Sequence, residues 1–469
     1  MLNFKSITQR DGARLRQYYK NCTYQLCEYS AGTKLMWKDT LHPSWTESCG
    51  CLIVRNEIDG RVVFDYPVPS PDGDEDAALA AIEDDCLERG ILPVISVVPE
   101  CKAERLLKRY PYVHVSNIRT WQDYLYYSED LQYFSGRRYS GQRNHIKKFF
   151  KAHPDACFRP LGAEDDLALE RFWKDYEAEF AKTSDASAVR ELTFAKRMFK
   201  LLDRPWFLGG GMFDGEKLVA VSLAEHCGET LIIHIEKALY SYEGVYPALV
   251  QAFAQHYGQE RGIKWINRED DAANRGLRTS KLQYGPAFLA PKYCFEPHNE
   301  LLSHVREIPV LQTERLTLSE LTEADLPAYN ALVLDRDRNR WWGYDDVAGL
   351  GGPVQEDSFL QVARRDFAAR TAVNFAVRLN GQCIGEAVLY RFNCRGDAEL
   401  GCRIDQAHSG CGYGTEAFAA VAEWGLYKVH LSRVVAKCFR ENQASRKMLA
   451  SCMRPCGEDE MYYYFEKKV

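Results

Sequence analysis

The chain lacks what several protein classes require. No apolar run is long enough to cross a bilayer: the most apolar stretch, Ile91–Pro99, is nine residues with two prolines, against about 20 residues for a span. No C-x-x-C pair occurs among the 16 cysteines, and only Cys49 and Cys51 form a C-x-C. A clustered zinc site is therefore not expected, no metal is expected, and the thiols read as scattered and reduced. The opening MLNFKSITQRDGARL has no apolar signal core. A soluble, bacterial-type cytoplasmic protein is the expectation. A basic surplus is missing too. Lys and Arg number 60 against 66 Asp and Glu, a net charge of -6, which argues against coating nucleic acid wholesale. What is present is a globular composition over 469 residues, length enough for about three domains.

The order of hydrophobic patterns repeats along the chain. In the middle, strands are predicted over Trp206–Phe213, Leu218–His226 and Thr230–Lys237, with turns at Asp214-Gly215 and Gly228-Glu229. A helix over Pro247–Arg261 follows, then a strand over Ile263–Ile266. The C-terminal part repeats this with strands over Asn374–Leu379, Gln382–Asn393 and Ala398–Ile404. Asn380-Gly381 is its hairpin signal. A helix over Thr415–Tyr427, a strand over Leu431–Cys438, a short helix capped by Asn442 and a last strand Met461–Phe465 complete it. A looser copy precedes both: strands Cys51–Arg55, Val62–Tyr66 and Val94–Val98, with helices Asp76–Glu88 and Glu100–Arg109. The prediction is an α/β (α+β) fold of three similar units, the first two forming one tandem module. The units span about residues 1–130 and 131–298, with a linker at 299–312 and a final domain at 313–469. Gly349–Pro353, GLGGP, reads as a flexible lid.

The segment HSGCGYGTEAF, His408–Phe418, carries the most chemistry. Glycines between a strand and a helix allow close backbone approach to a ligand. Successive amides and a helix N-terminus then make an anion site. With TERLTLSELTEADL (Thr313–Leu326), AELGCRID (Ala398–Asp405) and ENQASRKML (Glu441–Leu449), this segment resembles the GNAT N-acetyltransferase superfamily, specifically the ribosomal-protein-alanine acetyltransferase type. The resemblance implies acetyl-CoA as acyl donor and direct attack by a primary amine, with no covalent enzyme intermediate. It implies that backbone around Cys402 and Ile404 meets the pantetheine arm. Ser409, Gly410, Cys411, Gly412, Tyr413, Gly414 and Thr415 would hold the diphosphate, and Asn442 would lie near the thioester. Tyr413 would pack down and hold the turn. Glu399 is the candidate base and Ser445 the candidate partner of the leaving thiolate. Ser409 replaces the Arg or Gln usual in the family, which leaves the backbone donors in place.

The segments GRRYSGQRNHIKKF (Gly136–Phe149) and WINREDDAANRGLRTSKLQYGPAFLAPKY (Trp265–Tyr293) resemble the soluble family related to the C-terminal domain of phosphatidylglycerol lysyltransferase. That resemblance implies a doubled GNAT-like fold over Leu2 to about Pro297. Its relatives transfer an aminoacyl group from aminoacyl-tRNA. Arg143, Lys147 and Lys151 fall on one helical stripe suited to phosphates, including a tRNA acceptor end. Asn267, Arg268, Glu269, Asp270, Arg278 and Lys281 crowd the end of a predicted strand, where α/β folds bind ligands, and are candidate substrate contacts. The loop Glu243–Pro247 has one glycine and a proline without an N–H, a poor diphosphate cradle. Three readings follow. One is an acetyl-CoA-dependent N-acetyltransferase acting on a small-molecule or protein amine. Another is an aminoacyl-tRNA-dependent transferase with an accessory C-terminal domain. The third is a non-catalytic module that senses acyl-CoA or a nucleotide.

Overall fold

The structure, a computed structural model, describes residues 1–58, 60–180, 186–260, 262–342, 346–350 and 353–469. Two compact units result: Met1–Leu106 with Val115–Glu296, and Leu107–His114 with Pro297–Val469. In the expected lid, Gly349 ends the short helix Asp346–Gly349, while residues 351–352 lie outside the described ones.

The fold is mixed α/β, and a common plan runs through its three sheets. In each, one parallel strand pair is joined by a helix. Arg61–Asp65 pairs with Ile95–Val98 through the helix Glu75–Arg89. Thr230–Ala238 pairs with Trp265–Asn267 through Val245–Glu260. Asp397–Ile404 pairs with Arg433–Phe439 through Tyr413–Tyr427. This agrees with three GNAT-like units. Local signals set the hairpins. Asn380 and Gly381 have φ of +50° and +84°, the left-handed pair that matches the twist of the flanking strands.

The two N-terminal units are not consecutive along the chain. Asp123–Tyr127 joins the middle sheet between Trp265–Asn267 and Phe288–Ala290. Tyr293–Pro297 returns to the first sheet beside Ile95–Val98. Each unit thus takes a strand from beyond the expected division near residue 130, a crossing that short-range patterns do not encode. Elements outside the repeat also appear. The helix Asp166–Phe180 buries Leu169, Phe172, Trp173 and Tyr176 on one stripe. The edge strand Arg454–Glu458 is exposed at every residue and contains Pro455, so no apolar alternation marks it.

The C-terminal core lies between sheet and helix. Ala417, Phe418, Val421 and Ala422 of Tyr413–Tyr427 pack on Leu389, Leu400, Val434 and Ala436. That packing fixes the N-terminus of the helix at the end of the strand Asp397–Ile404.

Candidate active site

In the C-terminal sheet the parallel ladder is short. Asp397 pairs with Arg433, Ala398 with Val434 and Glu399 with Val435, and there it stops, although both strands continue. The other edge of Asp397–Ile404 stays paired with Gln382–Tyr390 as far as Ile404. Beyond Glu399 the two parallel strands part, which leaves a wedge-shaped split beside Leu400–Ile404.

The glycine loop stands at the open end of this split. Gly410 and Gly412 have φ of +79° and +82°, where any other residue type is strained. Space for a Cβ at Gly410 is empty to 4 Å. Gly412 is the N-cap of Tyr413–Tyr427, and no side chain caps the first turn. The amides there point outward with the positive end of the helix dipole. Gly414 abuts Ile404, since a Cβ on it would lie 3.6 Å from Ile404 Cγ1. The Cys402 thiol donates to the Gly414 carbonyl at 3.8 Å, so strand and loop are one construction. Thr415 is half-buried in the first turn. The Ser409 amide donates to the Gln406 carbonyl, and the exposed Cys411 thiol to the Ser409 carbonyl. Tyr413 packs against the core beneath the Arg315 guanidinium, 4.5 Å from its ring centroid.

Arg315 was not singled out from the sequence, yet it braces the loop. It donates to the Cys411 carbonyl at 3.0 Å and pairs with Glu416 at 2.7 Å. A cation thus lies next to Gly412, in a stretch where Ser409 offers none. The sequence signal was the Arg of TERL taken with the Glu of YGTEA.

Glu399 and Ser445 sit on opposite sides of the split. Paired residues share a face of a sheet, so Glu399 lies with Tyr390, Val435 and Lys437 on the face away from the helix Tyr413–Tyr427. The Tyr390 hydroxyl donates to Glu399 at 2.8 Å, and Arg391 and Lys437 lie 3.8 and 3.6 Å from its oxygens. Burial, then the adjacent Glu399, pushes the Tyr390 phenol up. Asn442 caps the helix Gln443–Cys452 by accepting from the Ser445 amide at 3.1 Å. The Ser445 hydroxyl meets Cys438, whose thiol burial pushes up in spite of the nearby Arg446 and that contact. Cys438 belongs to the buried core, on the helix side of the strand. On the Glu399 face, Trp342 covers Gly401, 3.1 Å from where a Cβ would be. Arg403 on the same face pairs with Glu386 and Asp346 and donates to the Asn339 side-chain amide oxygen.

The N-terminal candidates behave differently, because most are engaged inside their own module. Arg143 donates to the carbonyls of Phe134 and Gly136, whereas Lys147 and Lys151 of the helix Ser140–Ala152 are exposed. Asn267 donates to buried Asp123 at 2.8 Å. Arg268 pairs with Glu236 at 2.6 Å and stacks 4.5 Å from the Tyr284 centroid. Lys281 donates to the carbonyls of Arg268 and Asp270, and burial lowers its ammonium. Arg278 grips Asp271 at 2.9 and 3.0 Å. Burial alone would raise the Asp271 carboxyl, but hydrogen bonds from Arg278 and Tyr124 bring it to about 2.

Two buried centres there escaped sequence reasoning. A bulge in the ladder skips His234 between Ile233 and Ile235 and re-aims its ring. Its Nδ1 lies 3.0 Å from Glu269, and its Nε2 lies 3.8 Å from Glu225, an ion pair too long for a hydrogen bond. Burial depresses the imidazole, yet Glu225 and Glu269 together lift it to about 9. Glu225 in turn accepts from the Gly32 amide at 2.7 Å and from Arg16 at 3.2 Å. The second centre is Lys292, 2.7 Å from both Glu28 and Asp123 and 3.3 Å from the Cys27 sulfur. Asp270 is 3.9 Å away. Among the described residues, Cys27, Glu28 and Asp123 are the group with metal-ligand spacing. The Lys292 ammonium already stands among them as their cation.

The loop of the middle unit corresponds to the glycine loop but is closed. Gly244 has φ of +86°, and a Cβ on it would lie 2.3 Å from the His145 carbonyl oxygen and 3.2 Å from Phe149 Cβ. The helix Ser140–Ala152 therefore covers the place where the C-terminal loop is open.

Comparison with known proteins places these units. The family model described as phosphatidylglycerol lysyltransferase, C-terminal, matches residues 20–296. That of the acetyltransferase (GNAT) domain matches residues 315–452. The chain is 25% identical over 146 residues to the uncharacterized N-acetyltransferase YoaA of Bacillus subtilis, covering 30% of this chain and 80% of that protein. A conserved protein of unknown function from Bacteroides thetaiotaomicron aligns with a TM-score of 0.55 at 24% identity, over 63% of this chain and 99% of its own. A GNAT-family acetyltransferase from Bacillus anthracis aligns with a TM-score of 0.30 at 21% identity, over 34% of this chain and 98% of its own. Among the described residues, no helix is long and apolar enough to cross a membrane. The chain belongs to the phosphatidylglycerol lysyltransferase C-terminal family and carries behind that module a GNAT domain, which makes it an N-acetyltransferase by class.

Proposed function

We propose that the C-terminal domain transfers an acetyl group from acetyl-CoA to a primary amine by direct attack. One observation carries this reading: the split beside Leu400–Ile404 opens onto a glycine loop whose first helical turn is uncapped. The residues present suit the donor. The amides of Gly410–Thr415 would hold the diphosphate, with Ser409, Cys411 and Arg315 around it. The strand backbone at Cys402 and Ile404, beside the split, would meet the pantetheine arm. The thioester would then reach the apex of the split, with Glu399 on one face and Asn442 and Ser445 on the other.

The chemistry assigned to the chain's own groups is short. Glu399 takes a proton from the acceptor ammonium, directly or through water. The freed nitrogen lone pair attacks the thioester carbonyl, the C–N bond forms as the C–S bond breaks, and the second nitrogen proton passes to the departing thiolate to give CoA-SH. The Ser445 hydroxyl donates a hydrogen bond to the departing sulfur. No enzyme side chain is acylated. In the middle unit, Gly244 packed under His145 supports a module that does not take CoA at that loop. The exposed Lys147 and Lys151 remain its surface for a phosphate-bearing partner such as a tRNA acceptor end. A CoA-release screen of the full chain over amino acids, peptides, polyamines and aminoglycosides tests the reading. Release that requires both acetyl-CoA and an amine is expected. Release at the same rate without any amine contradicts it.

A further inference from the structure

The acceptor end of the split has an unusual balance of charge. On the face that carries Glu399, Arg391 and Lys437 lie 3.8 and 3.6 Å from that one carboxylate. Their side chains are 40% and 36% exposed, against 13% for Glu399. Two cations thus share one anion at the apex, where the ladder ends and the acyl group would arrive. The neighbouring surface is aromatic. Lys437 stands 5.2 Å above the Tyr462 ring, Tyr462 packs 4.7 Å from Phe439, and Phe439 packs 5.5 Å from Trp341. Lys437, Phe439 and Tyr462 share one face by their register.

A polyamine suits this surface poorly. Its reacting amine would be drawn to Glu399, while its next ammonium would meet Arg391 or Lys437 at a few ångströms. An acceptor with a carboxylate next to the amine matches both features. Its nitrogen reaches Glu399, and its carboxylate makes charge-assisted contacts with the cations flanking it. The aromatic wall would take an apolar side chain beside them.

Resting on the acetyl-transfer reading above, we propose that the acceptor is an α-amino acid or a molecule ending in one, whose carboxylate is recognised by Lys437 and Arg391. The specificity is set by charge complementarity at the apex, and Glu399 serves both as proton acceptor and as the spacer that holds the two cations apart.

The test uses the full chain, CoA release, and matched acceptors that differ only in the carboxylate: phenylalanine, phenylalaninamide and phenethylamine, with alanine, alaninamide and spermidine alongside. The free acids are expected to show a kcat/KM at least about tenfold above their amides, the worth of one charge-assisted contact. Lys437→Gln and Arg391→Gln should erase that ratio by raising KM for the free acids more than for the amides, with the calorimetric affinity for CoA unchanged. Equal use of acids and amides, a preference for spermidine, or variants that lower kcat for all acceptors alike would overturn the assignment. CoA binding with no turnover of any of these amines would overturn it as well. Failure of CoA to bind the parent chain would instead remove the donor reading on which it rests.

Discussion

Gly410 offers the cleanest perturbation of the donor loop. Its φ of +79° lies in the left-handed region and its Cβ space is empty to 4 Å, so a small side chain there clashes with nothing. Asp and Asn are the residues that best tolerate this conformation. Comparing Gly410→Asp with Gly410→Asn cancels the backbone cost and leaves one negative charge. If the loop amides hold a diphosphate, that carboxylate sits roughly 6 Å from about two charges. At an effective dielectric of 20 the repulsion is about 5 kcal/mol. Screening over a Debye length of about 8 Å roughly halves it. About 2–3 kcal/mol remain, which weakens CoA binding on the order of 50-fold in the Asp variant relative to the Asn variant. Titration calorimetry at low salt reads the ratio, and it should shrink at high salt. Equal affinities for the two variants, with both folded, would show that no diphosphate lies at Gly410.

Other consequences concern the N-terminal module. Lys292→Met leaves Asp123 and Glu28 without their cation in a buried site; a loss of about 3–5 kcal/mol is expected in urea unfolding, and an unshifted midpoint would refute the pairing. His234 is raised by Glu225 and Glu269 to about 9, above the usual imidazole value of about 6.5, so its contribution is complete below about pH 6.5, declines as pH rises and is gone above about 9, at most about 3 kcal/mol. Melting temperatures from pH 6 to 10 should fall for the parent relative to His234→Gln; parallel curves would count against the pairing of His234 with Glu225 and Glu269. Gly244→Ala should destabilise the module through the 2.3 Å approach to His145 while leaving CoA affinity intact, and a loss of CoA binding would point to a donor site in the wrong unit.

Local chemistry was readable where one short segment decides the structure. Asn380-Gly381 set a hairpin, Asn442 capped its helix through the Ser445 amide, and the glycine loop fell between strand and helix as its spacing implied. Distant contacts were not. Lys292 meets the Cys27 sulfur across 265 positions, and Glu225 meets the Gly32 amide across 193. No periodicity spans such separations, so these centres read in the sequence as ordinary polar residues in apolar runs. The exchange of Asp123–Tyr127 and Tyr293–Pro297 was hidden for the same reason, since strand partners are chosen by tertiary packing. Lys437 carried no motif at all. Its place on the Glu399 face follows only from the register of Arg433–Phe439.

Amide hydrogen exchange of the full chain with and without CoA tests the central claim most directly. Bound donor should slow exchange at Gly410–Thr415 and along Leu400–Ile404, and leave Glu243–Val250 unchanged. Protection of Glu243–Val250, or none at Gly410–Thr415 at saturating CoA, would contradict the account.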